Sequence, residues 1–317
     1  MATITHDTPV RSTPRLGSGL VLALVSAASF GVSGSLARGL LDAGWTAGAA
    51  VTARIVIAAL VLLVPAYLSM RGRWSLVRRN ASLVVTYGLV AVAGCQLCYF
   101  YAVAHMQVGV ALLIEYTAPV AVITWLWLRH GRAPGRLTIA GAVVALAGLV
   151  LVLDLLSGAD ISLVGVLWAL GAMVGAATYF VLSAEEGNGL PPLALAAGGL
   201  LVGSVALIVA GIVGIVPMAA TTDAVEFVGT TAPWWVPVLA LGLVSAALAY
   251  VAGIAAGRRL GSRLASFVAL SEVVASLVFA WLLLGELPRP VQLLGGVVIL
   301  AGVVMVKLDE TGTLRKK

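Results

Sequence analysis

Three ionisable side chains lie within long apolar runs of the chain: Arg54, Glu115 and Glu272. A charge at the centre of a membrane-embedded helix costs roughly 2.5 to 3.5 kcal/mol on insertion scales, so each is a candidate for substrate binding or coupling. Arg54 lies about nine residues from one end of its run and Glu115 about seven from the corresponding end of its own, which at ~1.5 Å per residue gives similar depths. The two are expected to pair, either within a site or as a salt bridge that only locks two helices. Glu272 lies about nine residues in from Arg263, near the middle of its run. No lysine or arginine shares its run, which leaves it without an obvious ion-pair partner. Such an acid is suited to holding a substrate amine or to exchanging a proton with it. Tyr250, at comparable depth, is placed to hydrogen-bond it.

Pro119 follows Glu115 by four residues and has no N–H to offer the Glu115 carbonyl, so a helix break is expected there. Irregular backbone at membrane depth is tolerated where it lines a cavity, although proline kinks also occur in purely structural membrane helices. Further side chains suited to a polar pocket are Ser26, Ser29 and Ser33 at helical spacing, then Gln96 and Tyr99, Tyr116, Trp168 and Tyr179. Taken singly, each also serves as packing glue, because Ser and Gln hydrogen-bond between membrane helices. Gly171 and Gly175 form a GxxxG pair, which means close helix packing rather than chemistry.

The remaining reactive residues do not assemble a catalytic centre. His6, His105 and His130 form neither a metal-ligand pair nor a Ser-His arrangement within one run. A phosphate-binding GxxxxGK(S/T) sequence is absent, so pumping by the chain's own ATP hydrolysis is excluded at the level of motifs. Cys95 and Cys98, the only cysteines, sit at CxxC spacing inside an apolar run; they build no disulfide framework, and a metal or redox role is the minor alternative. No cofactor or metal is expected, and the chain does not read as an enzyme.

The elements that must position these residues are membrane helices. Of 317 residues, 61% are hydrophobic and only 10% are charged, with mean hydropathy +1.10. A soluble domain carries roughly a quarter charged residues, so these charges are too few to coat a water-soluble surface. The 36 glycines agree, since glycine lets membrane helices approach closely. With ~20 apolar residues needed per crossing, ten spans are predicted. The first five run near Gly19–Leu41, Trp45–Met70, Ser82–Met106, Val108–Leu128 and Leu137–Leu155. The second five run near Leu163–Ser183, Leu193–Ile215, Trp235–Gly257, Leu264–Leu284 and Val291–Val306. The apolar run after the polar segment Met1–Leu16 is too long for a signal-peptide core and is read as a retained first span.

Loops facing the cytoplasm carry the excess of Lys and Arg. With the N-terminus inside, sixteen of the 19 basic residues fall on the inner side and only Arg38 and Arg289 on the outer, with Arg54 inside a span. The net charge of +6 is therefore a topology signal and not a sign of nucleic acid. Both termini are expected in the cytoplasm, with the protein in the plasma membrane and the loop Val216–Pro233 outside.

The two halves overlay. A shift of 154 places Gly88-Leu89-Val90 on Gly242-Leu243-Val244, Gly131 on Gly285, Pro134 on Pro288, Gly141 on Gly295 and Ala147-Gly148 on Ala301-Gly302. A shift of 146 places Gly19, Ala23 and Leu24 on Gly165, Ala169 and Leu170. Five spans per half is an odd number, so the second half must insert upside down, an inverted repeat of the kind that recurs in secondary transporters. The expected division is a cytoplasmic tail over 1–16, a first five-helix repeat over 17–156, a second over 157–307 and a cytoplasmic tail over 308–317.

Two stretches, Val108-Gly-Val-Ala-Leu-Leu-Ile-Glu-Tyr-Thr-Ala-Pro-Val120 and Ala269-Leu-Ser-Glu-Val-Val-Ala275 continuing to Leu284-Gly-Glu286, resemble the drug/metabolite transporter superfamily in its EamA branch of ten-span carriers. The resemblance covers nearly the whole chain. It departs at Val273, where a proline often follows the glutamate and bears on whether span nine breaks, and at Arg132, where the first half often has a second Gly-Glu. It implies an all-α secondary transporter working by alternating access, with spans one, three and four facing six, eight and nine around a central cavity. Relatives of this kind export amino acids, other metabolites or toxic compounds. The expected function is export of amino acids or related polar metabolites, with protons as a candidate coupling ion. A multidrug exporter is the alternative, and a non-transporting receptor or scaffold the alternative of another class.

This topology predicts that single cysteines replacing Arg73, Arg132 or Lys316, in a background lacking Cys95 and Cys98, are labelled only from the cytoplasmic side, and Asp223→Cys only from outside. A reversed pattern at two of these positions contradicts it.

Overall fold

A backbone deprived of water must satisfy its own N–H and C=O groups, and apolar runs of this length do so as helices. The computed structural model describes residues 13–106, 108–131, 133–153, 162–185 and 187–315. His6, Arg11, Arg132, Lys316, Lys317 and the expected boundary between the halves at 156/157 lie outside the described residues.

The first half holds α1 (Thr13–Asp42), α2 (Ala47–Met70), a short α3 (Ser75–Arg79), α4 (Ala81–Thr86), α5 (Cys95–His105), α6 (Val108–Glu115), α7 (Ala118–His130) and α8 (Arg136–Val152). The second holds α9 (Leu163–Ser183), α10 (Pro192–Ile212), strands β1 (Val225–Phe227) and β2 (Thr230–Ala232), α11 (Trp235–Gly242), α12 (Ala249–Ala269), α13 (Ser271–Phe279) and α14 (Pro290–Arg315). Eight helical segments among the described residues are long and apolar enough to cross a membrane. Seven of them coincide with expected spans one to four, six, seven and ten. The eighth, Trp235–Ala269, runs through expected span eight into span nine. It turns at Gly261, whose φ of 77° and ψ of 162° suit glycine alone. The remaining parts of the expected set are shorter apolar helices, Arg136–Val152 and Ser271–Leu284. α14 continues through the segment expected as a tail, as far as Arg315.

Two kinds of departure from regular helix recur in register between the halves, whereas the π-helical stretch Ala280–Leu284 falls on regular helix in α7. π-helical backbone joins α4 to α5 over Tyr87–Gly94 and α11 to α12 over Leu243–Leu248, positions that coincide under the 154-residue shift. The same shift relates two breaks. Between α6 and α7 the chain leaves the helix at Tyr116–Thr117, with Pro119 the second residue of α7. Between α12 and α13 it does so at Leu270, without a proline, where Leu270 N–H and the Leu270 carbonyl each take tight three-residue bonds, to Phe267 and from Val273.

Packing also exchanges between halves: α1 lies on α12 and α13, α9 on α5, α6 and α7, α2 on α10, and α8 on α14. α8 and α14 cross antiparallel on glycines. A Cβ on Gly148 would stand 2.6 Å from Ile299 N and 2.7 Å from Gly295 O, and one on Gly141 would stand 2.7 Å from Gly302 O. Gly175 and Gly171 of α9 likewise face Cys95 and Cys98 of α5, so the GxxxG pair and the cysteine pair interlock as small packing surfaces.

One end of the bundle carries a folded strap that residue patterning did not anticipate. β1 and β2 pair antiparallel, Val225 opposite Ala232 and Phe227 opposite Thr230. The preceding segment is pinned to the α1–α2 connection: Thr46 N–H donates to Ala219 O at 2.9 Å, Trp45 Nε1 to Thr221 O at 2.9 Å and Thr221 Oγ1 to Ala43 O at 2.6 Å. Val228 N–H donates to Leu283 O at 2.9 Å, tying the hairpin to the end of the α13 segment. Beneath it Leu36, Leu40, Trp45, Ala49, Val225 and Val238 form a buried apolar cluster.

The glycine crossing predicts that Gly148→Ala lowers stability by about 1–3 kcal/mol, the usual cost of overpacking, whereas Gly34→Ala, with nothing near its added methyl, stays close to wild type. Equal melting temperatures for the two variants in detergent contradict the close crossing.

Candidate functional site

A cavity of about 170 Å³ lies between the halves. It is lined from α1 by Ser26, Phe30 and Ser33, from α2 by Arg54, from the third span by Cys95 and Gln96, and at the first helix break by Glu115, Tyr116 and Pro119. From the second half come Tyr179 and Phe180 of α9, Tyr250 of α12, Ser266, and Glu272 beside the second break. The expected six facing spans all contribute, and span two joins them through Arg54. Toward the hairpin end the cavity stops where α1 and α2 enter the apolar cluster of Leu36, Leu40 and Ala49.

Arg54 is only 7% exposed, which makes the partners of its charge decisive. Its Nη1 donates to Ser33 Oγ at 3.0 Å and its Nη2 to the Ser245 carbonyl at 2.9 Å. Ser245 lies in the π-helical segment, a departure from regular helix of a kind frequent at functional sites. Phe30 stacks its ring 5.6 Å from the guanidinium carbon. The expected Arg54–Glu115 ion pair is not formed: Arg54 donates to those two neutral acceptors, and Glu115 instead accepts from the Cys95 thiol at 3.5 Å. Similar depth did not imply contact, because each lines the cavity from its own span and takes other partners there. Glu272 lines the same cavity as Arg54, so that acid does share its cavity with a basic group, though not in contact.

Glu272 and Tyr116 face the same cavity beside the two breaks, and Tyr250 lines it without a hydrogen bond to Glu272 among the described residues. The break after Glu115 turns Tyr116 into the cavity, whereas Tyr250 is held by edge-on ring packing with Phe30 at 5.3 Å and Tyr179 at 5.7 Å. Ser26 Oγ donates to Ala249 O at 2.8 Å, and its oxygen and the Tyr179 hydroxyl converge on the space left by Gly253. Gln96 and Ser33 line the cavity.

Three expected residues stand away from it. Ser29 is buried in packing. Tyr99 packs on the apolar cluster of Ala102, Met106, Val110 and Ala169. Trp168 is 38% exposed and stacks on Tyr101 at 4.8 Å, the position of an interfacial aromatic. Phe30, Phe180 and Cys95 line the cavity without having been singled out for it. For Phe30 the signal was present, since it falls on the same helical face as Ser26 and Ser33; Cys95 directly precedes Gln96.

Chemically, the cavity offers one buried cation, two separate carboxyl groups and hydroxyl donors within an aromatic and aliphatic wall. The same architecture occurs elsewhere: a crystal structure of a protein 19% identical in sequence superposes with a TM-score of 0.76 over 92% of this chain and 96% of its own, a likeness of fold. In sequence, the chain is 29% identical to the threonine/homoserine exporter RhtA of Escherichia coli K12, over 94% of this chain and 92% of RhtA. It is 26% identical to the uncharacterized transporter YvbV of Bacillus subtilis 168, over 78% and 77% of the two chains. The pattern of the EamA-like transporter family matches twice, at residues 17–154 and 163–308. This chain is therefore an integral membrane protein of the EamA-like transporter family, within the drug/metabolite transporter superfamily.

Proposed function

We propose that the protein is a secondary exporter of amino acids or related small polar metabolites, working by alternating access between two inverted repeats of five spans. The observation that carries this reading is the cavity between the halves, with Arg54, Glu115 and Glu272 on three different spans around it. An amino acid needs partners for a carboxylate and an amine at once, and these three groups supply both signs of charge. The antiparallel α8–α14 crossing and the exchange of helix contacts between halves support inversion of the repeat. The RhtA likeness supports the substrate class. Drug-sized ligands occupy roughly 300–1,000 Å³, more than the 170 Å³ found, which favours a small solute over the multidrug alternative.

In this reading the protein sits in the plasma membrane with both termini in the cytoplasm. The hairpin end, outward by the distribution of basic residues, is closed by its apolar cluster and must part for release. Glu272 and Glu115 contact the substrate amine or carry a coupling proton, Arg54 contributes charge, and Gln96, Ser33, Tyr116, Tyr179 and Tyr250 shape the pocket. The break before Pro119 and its counterpart at Leu270 bring non-helical backbone to the cavity, where a polar solute or water can approach it.

Glu272→Gln is expected to fold and to lose transport of labelled L-threonine in proteoliposomes, or to lose its dependence on a proton gradient. Wild-type flux with unchanged pH dependence would falsify the coupling role. Because Arg54 rests on Ser33 and Ser245, Glu115→Gln strands no ion-pair partner; it should cost no more than about 1.5 kcal/mol, the scale of one hydrogen bond. A loss several times larger, read from thermal unfolding, contradicts the absence of an Arg54–Glu115 pair.

A further inference from the structure

The amino-acid reading leaves open which group recognises which end of the substrate. A guanidinium carries five N–H donors; two of Arg54's are used, on a serine hydroxyl and a backbone carbonyl, and Nε is buried without a hydrogen-bonding partner among the described residues. Both acceptors are neutral, and no carboxylate among the described residues forms an ion pair with it. An uncompensated buried charge is costly unless a counter-ion joins it.

Resting on the proposed transport of amino acids, we infer that Arg54 is the residue that reads the substrate's carboxylate, so that a free carboxylate is a requirement for binding. The wall around it suits this role. Ser33 and Ser245 fix two of its nitrogens, and Phe30 lies beside the guanidinium, which limits its rotation. A fixed, planar fork is what bidentate carboxylate recognition needs. The two acids of the cavity are available to the other end of the substrate. Glu115 lies 3.5 Å from the Cys95 thiol, which it shares with the Ala172 carbonyl at 3.4 Å, and Glu272 lines the same cavity, whereas an ionised carboxyl accepts about four hydrogen bonds. An ammonium with three donors can be accommodated at either acid.

The repeat argues against a purely architectural role. Under the 146-residue shift that aligns spans one and six, Arg54 falls on Leu200, which is fully buried apolar packing against the first half. The helix therefore packs without a charge in one half and carries one in the other, on the wall of the cavity.

The test uses the purified full-length protein with three unlabelled compounds, read as ligand-induced shifts in unfolding temperature converted to dissociation constants. L-Threonine has both ends, L-threoninamide lacks the carboxylate, and 3-hydroxybutyrate lacks the amine. Wild type is expected to bind threonine at least about tenfold more tightly than threoninamide, the scale of a charge-assisted pair. Arg54→Gln should bind the two equally, and Arg54→Lys should recover part of the difference. Wild type binding threoninamide as tightly as threonine overturns the role of Arg54 even if no variant folds, and leaves amino-acid transport standing. Binding of 3-hydroxybutyrate but not threonine, lost in Arg54→Gln, upholds Arg54 and overturns the amino-acid reading. Binding of neither carboxylate overturns both.

Discussion

Arg54 holds its charge among spans one, two and eight, away from water, and that is possible only because acceptors have been brought to it. The π-helical segment Leu243–Leu248 supplies the carbonyl of Ser245, and the serine face of α1 supplies the hydroxyl of Ser33. The guanidinium thus joins one helix of the second half to two of the first. The neighbouring bond from Ser26 to Ala249 repeats the device further along the same pair of spans. What holds the wall together at this depth is polar contact with irregular backbone, which a hydrocarbon environment permits only around a cavity.

The rest of the bundle approaches closely enough to enclose that cavity because its contact faces are small. Glycines of α8 and α14 bring backbones together, and those of α9 make room for Cys95 and Cys98. With Cys95 seated there, its thiol reaches Glu115. Packing and chemistry are coupled through the same side chain: the glycine that admits the cysteine also positions the donor to the acid. The paired breaks at Tyr116–Thr117 and Leu270 then bring Tyr116 and Glu272 to the wall of one cavity from opposite halves.

The charged residues of the site were legible in the sequence because Arg, Glu and long apolar runs exclude one another so strongly. Their pairing was not. Counting residues gives depth along a helix but not the distance between helices, so Arg54 and Glu115 line one cavity without an ion pair between them. Trp168 and Tyr99 show the same limit: an amphipathic ring suits a pocket, an interface and a helix contact alike. The repeat was visible in matching glycines, and the structure places π-helical backbone and helix breaks at corresponding positions. The span count was less readable where two helices abut at the kink of Gly261, and the hairpin over 225–232 is too short for a periodicity to stand out, although Val, Thr-Thr and a turn glycine are present.

A carrier with a site exposed alternately to each side can exchange one solute molecule for another across the membrane without net movement. Counterflow in proteoliposomes measures this directly, with unlabelled L-threonine inside and a trace of labelled L-threonine outside. The account predicts transient accumulation of label above its equilibrium level, absent from vesicles loaded with buffer alone. Entry of label at the rate seen in protein-free vesicles, for threonine and for other small polar amino acids alike, would contradict it.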